Sequence, residues 1–327
     1  MKHIIKDVLM NYFKEIHSLA VEEELHKESW NTDLHYKIMV NGKRYSARFM
    51  NSMRTINPAF GALSNEQLIE QVRFTYYLHE HGIPFMKINK NTSGESFTLV
   101  TWNDEQYRFV LANWIEGEHL THCTESIAES FGKEARKIHD ISCAFQSSIF
   151  QKKSHLDGYA QFIHMLESKA SACKELREYI DLATYHIECA YTSELEFIIQ
   201  TDLNPLNVLW DSSQQVKGIV DFESIGYVDR IEGLSFLIKW YSRIEGIHSH
   251  EVSPSVASAF LEGYRAHNIV RSNDYKRLSS LLWLSGSLNW NFVKKTLSVI
   301  SDERELEEHL EVSRVRGERL SSLLIST

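Results

Sequence analysis

Two carboxylates and an amide are the first residues in the sequence that suggest chemistry. Asp202 and Asn207 lie in "FIIQTDLNPLNVLWD", where a polar turn separates two apolar runs. Asp221 follows another short apolar run, in "QVKGIVDFES". Asp, Asn and Pro are also ordinary turn residues, because their side chains bond nearby backbone or preset φ. A turn or strand end explains each residue alone, but not the three together.

A β-hairpin would bring the amide and one of the carboxylates together. The apolar runs on either side of "DSSQQV" predict such a hairpin, with its tip near Gln214 and with Asn207 opposite Asp221. Facing residues of an antiparallel pair lie about 4.5–5.5 Å apart at Cα. Their oxygens can then share one Mg²⁺, which prefers oxygen ligands and often binds phosphates as well. Asp202 is placed to accept a proton from an attacking hydroxyl.

This pattern resembles the aminoglycoside phosphotransferase and choline/homoserine kinase family, which has a protein-kinase-like fold. The family signature is similar to H-G-D-x-x-x-x-N-V-L followed by I-D-[FW]; here the segments read "DLNPLNVLWD" and "VKGIVDFES". Four further segments agree in order: "LHEHGIP", "ANWIEGEHL", "FGKEARKIHDIS" and "FLEGYR". The resemblance runs from Tyr36 to Tyr264. It implies a kinase that uses ATP and Mg²⁺.

The resemblance also assigns roles to single residues. Asp202 matches the catalytic aspartate, and Asn207 and Asp221 match the magnesium ligands. Glu70 matches a glutamate that pairs with a basic residue on the second strand of the first hairpin, here Arg48. An Arg offers a planar fork to phosphate or carboxylate oxygens, whereas a Lys is a compact point charge.

Two further expectations concern the nucleotide. Glu66 is the alternative partner of Arg48, because it lies one turn before Glu70 on the same helical face. The backbone from Leu111 to Asn113 is expected to contact adenine as the hinge between two lobes. The alternative explanation of Arg48 and Glu70 is that both are surface charges.

The sequence departs from the family pattern in two places. Gln200-Thr201 stands where the family has His-Gly before the catalytic aspartate. The segment "HKESWNTDLHY", where a phosphate-covering loop is expected, contains no glycine. Glycine permits the closest approach of backbone N–H groups to phosphate. Ser29, Asn31 and Thr32 are the donors that remain there.

Hydrophobic patterns predict the elements that must position these residues. "YKIMV-NG-KRYSARF" and "FTLVTW-ND-EQYRFVLANW" predict two hairpins. "SNEQLIEQVRFTYYLHEHG" predicts a helix with a capping box at Ser64 and Gln67, ended by Gly82. Helical periodicity dominates afterwards, interrupted by short strands around the catalytic segment. The predicted class is therefore α+β, with a two-lobed kinase-like fold.

The predicted lobes divide the functions between them. Residues 1–112 form the nucleotide-binding lobe, an antiparallel sheet with one helix. Residues 113–327 form the helical lobe with the catalytic loop, the metal site and the acceptor pocket. The first segment holds 13 basic and 13 acidic side chains, and the second holds 22 and 31. This excess favours a cationic acceptor, or else is only a solvated acidic surface.

Composition excludes several other classes of protein. At 43% apolar and 24% charged residues, the 327-residue chain is typical of a globular protein. No apolar run is long enough for a membrane span. Four scattered cysteines indicate neither a disulfide framework nor a zinc site, which favours the cytoplasm. No basic patch indicates a nucleic-acid partner.

Three interpretations of function stay open at this stage. The first is an ATP-dependent small-molecule kinase acting on an amino alcohol, amino acid, sugar or aminoglycoside. The second is a catalytically impaired, kinase-like nucleotide-binding protein. The third is a protein-directed kinase, for which no activation-loop pattern follows Asp221.

Overall fold

The computed structural model describes most of the chain. The described residues are 2–25, 33–52, 63–150, 155–170, 173–194, 197–200 and 202–324. The chain divides into two compact units. The first unit comprises Met1–Gly117 and Lys217–Glu223, and the second comprises Glu118–Val216 and Ser224–Thr327.

The described part of the first unit contains a six-stranded antiparallel sheet and two helices. The elements are α1 (Lys2–Leu9), β1 (Leu19–Leu25), β2 (Leu34–Val40), β3 (Lys43–Asn51), α2 (Asn65–Glu80), β4 (Ile88–Asn89), β5 (Thr98–Trp102) and β6 (Glu105–Asn113). The strand order is β1-β2-β3-β6-β4, and β5 also pairs with β6.

Both predicted hairpins of this sheet are confirmed. Asn41 and Gly42, which join β2 to β3, have φ of 49° and 78°, and Val40 pairs with Lys43. Asn103 and Asp104, which join β5 to β6, have φ of 50° and 63°. Two consecutive residues with positive φ are typical of the tight turns whose twist matches that of the flanking strands.

The helix α2 is also confirmed, with both of its end signals. Ser64 Oγ accepts the Gln67 backbone N–H at 3.2 Å, and Gln67 Oε1 accepts the Ser64 N–H at 2.9 Å. Gly82, with φ of +81°, follows the last turn. This capping fixes the start of the helix that carries Glu70 and Gln71 on its buried face.

The core of the first unit lies on one face of the sheet. Ala47 and Phe49 of β3 are fully buried, and the Phe49 ring meets Phe109 of β6 edge-on at 4.8 Å between centroids. Successive side chains of a strand point to opposite faces. Arg48 therefore projects from the face opposite this aromatic core.

The second unit is mostly helical. Its described elements are α3 (Glu125–Ser142), α4 (His155–Ala170), α5 (Lys174–Ala190), β7 (Phe197–Gln200), β8 (Val208–Trp210), β9 (Val216–Ile219), β10 (Ile225–Val228), α6 (Arg230–Tyr241), α7 (Pro254–Tyr264), α8 (Asp274–Ser287), α9 (Trp290–Val299) and α10 (Glu303–Ser322). Lys217 to Ile219, within β9, belong to the first unit. Among the described helices, none has the length and apolar character needed to cross a membrane.

Two glycines allow α3 and α7 to pack backbone against backbone. A Cβ at Gly263 would lie 2.1 Å from the Glu129 carbonyl oxygen, and a Cβ at Gly132 would lie 2.4 Å from the Phe260 carbonyl oxygen. Next to this contact, the buried His139 forms a 2.6 Å hydrogen bond between Nδ1 and Tyr264 Oη, and its ring packs on Phe197 of β7. His139 therefore packs at the end of its helix and supports the strand that leads to Asp202.

The short strands around Asp202 form two pairs. β7 pairs with β10, and β8 pairs with β9 as the predicted hairpin. The hairpin turn is closed by Asp211 N–H donating to Gln215 O at 3.0 Å, and Gln214 has a positive φ of 57°. The sheet of the first unit and the helices of the second agree with the predicted α+β class.

Candidate active site

The segment after β7 is a tight turn built around Asn204. Asn204 Oδ1 accepts the Leu206 N–H at 2.8 Å, and Asn204 O accepts the Asn207 N–H at 2.9 Å. Pro205, whose fixed φ suits the first helical position, begins a single 3-10 turn that ends at Asn207. The local sequence D-x-N-P-x-N therefore dictates the shape of the loop.

This turn brings Asp202 and Asn207 together. Asn207 Nδ2 donates to the Asp202 backbone carbonyl at 2.7 Å and lies 3.4 Å from Asp202 Oδ2. Asn204 Nδ2 donates to Asp202 Oδ1 at 2.8 Å. Asn204 thus holds the carboxylate of Asp202, and Asn207 holds its backbone carbonyl. Because the NH₂ of Asn207 points into the loop, its Oδ1 is directed away and suits a hard cation.

The end of α6 supplies the electrostatic surroundings of Asp202. Burial lowers the pKa of Lys239 to about 8; Arg243 lowers it as well, while the Asp202 carboxylate raises it. Burial also raises the pKa of Tyr241 well above its usual value, with contributions from Cys123 and Asp202. The Lys239 ammonium therefore lies close enough to Asp202 for the two charges to interact, and the Tyr241 hydroxyl stays neutral.

Asp221 belongs to the first unit, in the segment that follows β9. It has a positive φ of 64°, and its Oδ1 accepts the Glu223 N–H at 3.1 Å. Gln71 of α2 donates through Nε2 to the Glu223 carbonyl at 2.8 Å. Positive φ is uncommon outside glycine and concentrates at functional sites. Helix α2 therefore holds the backbone that shapes the predicted metal ligand.

Arg48 is held by two acidic side chains of the first unit. Its Nη2 lies 3.0 Å from Asp33 Oδ2 and 3.0 Å from Glu223 Oε1. Arg73 makes a two-pronged ion pair with Glu70, at 2.8 and 2.6 Å. The predicted pair between Arg48 and Glu70 stays a prediction, since the contacts described for each are with these other side chains.

The other residues predicted to bind nucleotide lie on the predicted helix α2 and on strand β6. Glu66 is exposed in the first turn of α2, and hydrogen bonding to its own backbone N–H, with a smaller effect of Ser64, lowers its pKa. Asn89 Nδ2 donates to Leu111 O at 3.3 Å and to Asn113 Oδ1 at 3.1 Å. These bonds order the predicted hinge, whose contact with adenine stays a prediction.

Some predicted features lie outside the described residues. They are Ser29, Asn31 and Thr32 of the phosphate-covering segment, together with Thr201 and the side chain of Gln200. Within the described ranges, no three His, Cys, Asp or Glu side chains cluster as a metal site. The predicted magnesium site consists of one carboxylate and one amide, and the hard oxygens of Asp221 and Asn207 have the chemistry that Mg²⁺ requires.

Comparison with known proteins decides the family. Residues 36–280, well over half of the chain, match the model of a phosphotransferase enzyme family (APH). The chain belongs to the phosphotransferase enzyme family. The predicted family is therefore confirmed, and the chain is a small-molecule phosphotransferase. No curated protein matches the sequence significantly.

Solved structures of family members share the fold at low sequence identity. An amicoumacin kinase, hAmiN, solved with AMP-PNP, Ca²⁺ and Ami, has a TM-score of 0.66 and 14% identity, covering 99% of this chain and 93% of its own. An aminoglycoside phosphotransferase from Alicyclobacillus acidocaldarius has a TM-score of 0.63 and 16% identity, covering 98% and 94%. A microcompartment-associated aminopropanol kinase has a TM-score of 0.63 and 15% identity, covering 99% and 98%. The kinase-like fold class is thus confirmed.

The structure adds three residues that the predicted site did not include. Asn204 bonds the Asp202 carboxylate, Glu223 pairs with Arg48, and Lys239 interacts with Asp202. The D-x-N spacing was a usable signal for the first. Nothing in the local sequence indicates the other two, because their partners are distant along the chain.

Proposed function

We propose that this phosphotransferase is an ATP-dependent kinase that transfers the γ-phosphoryl group to a hydroxyl of a small molecule in the cytoplasm. One observation carries the proposal: hydrogen bonds within the turn from Asp202 to Asn207 hold a carboxylate and an amide side chain in one loop. Family membership and the spacing of Asp221 support it. The first unit would bind nucleotide, and the second would bind the acceptor.

The role of Asp202 follows from its hydrogen bonds. The Asn204 amide orients its carboxylate, and Asn207 fixes its backbone, so that Asp202 can accept the proton of the acceptor hydroxyl as that oxygen bonds to phosphorus. The bond between the γ-phosphorus and the β–γ bridging oxygen breaks, and ADP leaves. The amides hold Asp202 before the acceptor arrives, so no reorientation is required during the reaction.

Mg²⁺ would be held by Asn207 and Asp221. Bound there, it would neutralise phosphate charge. Arg48 would offer its guanidinium to phosphate oxygens, while Asp33 and Glu223 hold its direction. Leu111 and Asn113 would contact adenine through their backbone. Glu70, on the buried face of α2, would contribute to nucleotide binding.

One sequence observation favours a second candidate function. Gln200-Thr201 replaces the His-Gly that precedes the catalytic aspartate in related kinases. A catalytically impaired nucleotide-binding protein would retain Mg·ATP binding through Asp221 and lack phosphoryl transfer. Binding and turnover must therefore be measured separately.

A thermal-shift experiment with Mg·ATP tests the binding half. At a nucleotide concentration of about 100 Kd, ligand binding stabilises a protein by about 2.7 kcal/mol, a shift of several degrees in Tm. Asp221→Ala should abolish this shift. Asp181→Ala, which removes an exposed carboxylate on α5, is the matched control and should retain it.

Turnover is tested by ADP release with a panel of hydroxyl acceptors, comparing wild type with Asp202→Asn. Transfer by wild type that is lost in the variant supports the kinase. A thermal shift with no transfer to any acceptor supports the impaired binding protein. Absence of both the shift and the transfer contradicts the proposal.

A further inference from the structure

The segment that carries Asp221 is anchored within the first unit on both sides of that residue. Two residues before Asp221, two backbone hydrogen bonds of 2.8 Å join Ile219 to the segment that follows α2. Two residues after it, the Glu223 carbonyl accepts a hydrogen bond of 2.8 Å from Gln71 Nε2. Asp221 therefore lies midway between a backbone anchor at Ile219 and a side-chain anchor at Glu223.

The backbone conformation of Asp221 makes these anchors important. Its φ of 64° lies in the left-handed region, which a residue other than glycine keeps only where its surroundings hold it. The carboxylate is tied to the second anchor, because Asp221 Oδ1 accepts the Glu223 N–H at 3.1 Å. The position of the Glu223 backbone thus sets the direction of the predicted metal ligand.

Gln71 reaches this backbone from the buried face of α2. Only 3% of the residue is exposed. The direction of its amide is fixed, because the Glu223 carbonyl can only accept a hydrogen bond and must therefore face the NH₂ group. The helix and the segment of Asp221 are joined through this one neutral side chain.

The other atom of the same amide shows that Gln71 adds little net stability. Gln71 Oε1 is buried and receives no hydrogen bond from any residue in the described ranges. A buried acceptor without a donor is costly, and this cost offsets what the bond to Glu223 contributes. An apolar side chain of similar size would avoid the cost but could not hold the Glu223 carbonyl.

The side chain of Glu223 makes a separate contact. Its Oε1 lies 3.0 Å from Arg48 Nη2, and Asp33 Oδ2 lies 3.0 Å from the same nitrogen. Arg48 keeps the Asp33 carboxylate whatever the position of Glu223. Loss of Gln71 should therefore affect the metal ligand more than the arginine that is predicted to bind phosphate.

We propose that Gln71 is a positioning residue for metal binding, which holds the Glu223 backbone and thereby directs the Asp221 carboxylate toward Mg²⁺. The inference rests on the proposed function, in which Asp221 binds Mg²⁺ together with the nucleotide. Carboxylates that bind metals are themselves held by hydrogen bonds, and loss of such a partner typically weakens metal binding 10- to 100-fold.

A comparison of metal-bound with metal-free nucleotide tests this role. Calorimetry measures the affinity of each protein for ADP with Mg²⁺ and, separately, with EDTA. Gln71→Met should weaken the binding of Mg·ADP about 10- to 100-fold and leave the binding of metal-free ADP within about twofold of wild type. The Tm of the metal-free variant should stay within about 2 °C of wild type, because the lost bond and the removal of the unbonded Oε1 offset each other.

Gln67→Met is the matched control. It makes the same change one turn earlier on α2, where the glutamine side chain caps the start of the helix. It should lower Tm and leave the affinity for Mg·ADP unchanged. Hydrogen exchange of the metal-free proteins gives a second measurement: the Glu223 amide should exchange at least about tenfold faster in Gln71→Met than in wild type or Gln67→Met. Circular dichroism establishes folding, and Gln71→Leu replaces a methionine variant that does not fold.

Three results would overturn the proposal. They are equal affinity of Gln71→Met and wild type for Mg·ADP, equal losses with and without Mg²⁺, and a loss that Gln67→Met reproduces. The last result would assign the effect to the stability of α2. The proposed function fails separately, when wild type itself binds ADP no more tightly with Mg²⁺ than with EDTA and transfers phosphate to no alcohol.

Discussion

Replacing Asn204 separates the orientation of Asp202 from the stability of its loop. The Asn204 side chain makes two hydrogen bonds of 2.8 Å, one to Asp202 Oδ1 and one from the Leu206 N–H. Asn204→Ser retains an acceptor for the N–H, because serine caps turns as well as asparagine does. Its shorter side chain cannot reach Asp202. Asn204→Ala removes both bonds.

The structure sets the expected magnitudes. A hydrogen bond to a charged group contributes about 1.5–3 kcal/mol, so its loss should lower kcat/KM about 10- to 100-fold in both variants. The contact of Asn207 Nδ2 with Asp202 Oδ2, at 3.4 Å, is too long to replace it. Loss of the cap in Asn204→Ala costs about 1 kcal/mol more, which lowers Tm by about 2 °C.

The assay combines steady-state ADP release with thermal melting. We expect both variants to lose activity, and Asn204→Ala to melt at a lower temperature than Asn204→Ser. A serine variant with kcat/KM within twofold of wild type would refute the role of Asn204 in orienting Asp202. Activity loss that follows Tm alone would show that Asn204 acts only on stability.

Three further predictions concern the support of the site. Gly263→Ala forces a Cβ into the backbone of α3 and should cost about 1–3 kcal/mol in denaturant unfolding. Gly158→Ala in α4, which has open space around it, should instead stabilise by about 0.5–1 kcal/mol. Burial is the largest cause that lowers the pKa of His139, to about 3. Below about pH 6.5 the unfolded chain therefore binds a proton at His139 that the folded protein does not bind. The contribution of His139 to the free energy of unfolding is therefore complete above pH 6.5 and is lost as pH falls, by up to about 1.4 kcal/mol per pH unit. The free energy of unfolding of wild type and of His139→Gln, measured between pH 7 and pH 5, should differ in slope accordingly. Arg277→Met breaks the buried ion pair with Asp229 and should cost about 3–5 kcal/mol in the same unfolding assay; a loss below 1 kcal/mol would show that the pair adds little.

Local features of this fold were predictable because their causes are local. Asn41-Gly42 permits the positive φ that a tight hairpin requires, and Ser64 and Gln67 satisfy each other's backbone N–H groups within one turn. The D-x-x-x-x-N spacing likewise closes on itself through the Asn204 turn. In each case the interacting groups lie within five residues of one another.

Long-range features were not predictable from pattern alone. The partner of Arg48, Glu223, reaches it because residues 217–223 pack with the first unit, where Ile219 O accepts the Met86 N–H at 2.8 Å. No helix was predicted for Glu303–Ser322, where charged residues predominate.

Direct detection of the transferred phosphate tests the central claim most sharply. Phosphorus NMR and mass spectrometry should show one phosphate ester formed on the acceptor for each ADP released by wild type. Asp202→Asn should still give a thermal shift with Mg·ATP and should lose at least about 100-fold in transfer rate. Transfer by Asp202→Asn at the wild-type rate would contradict the assignment of Asp202 as the catalytic base.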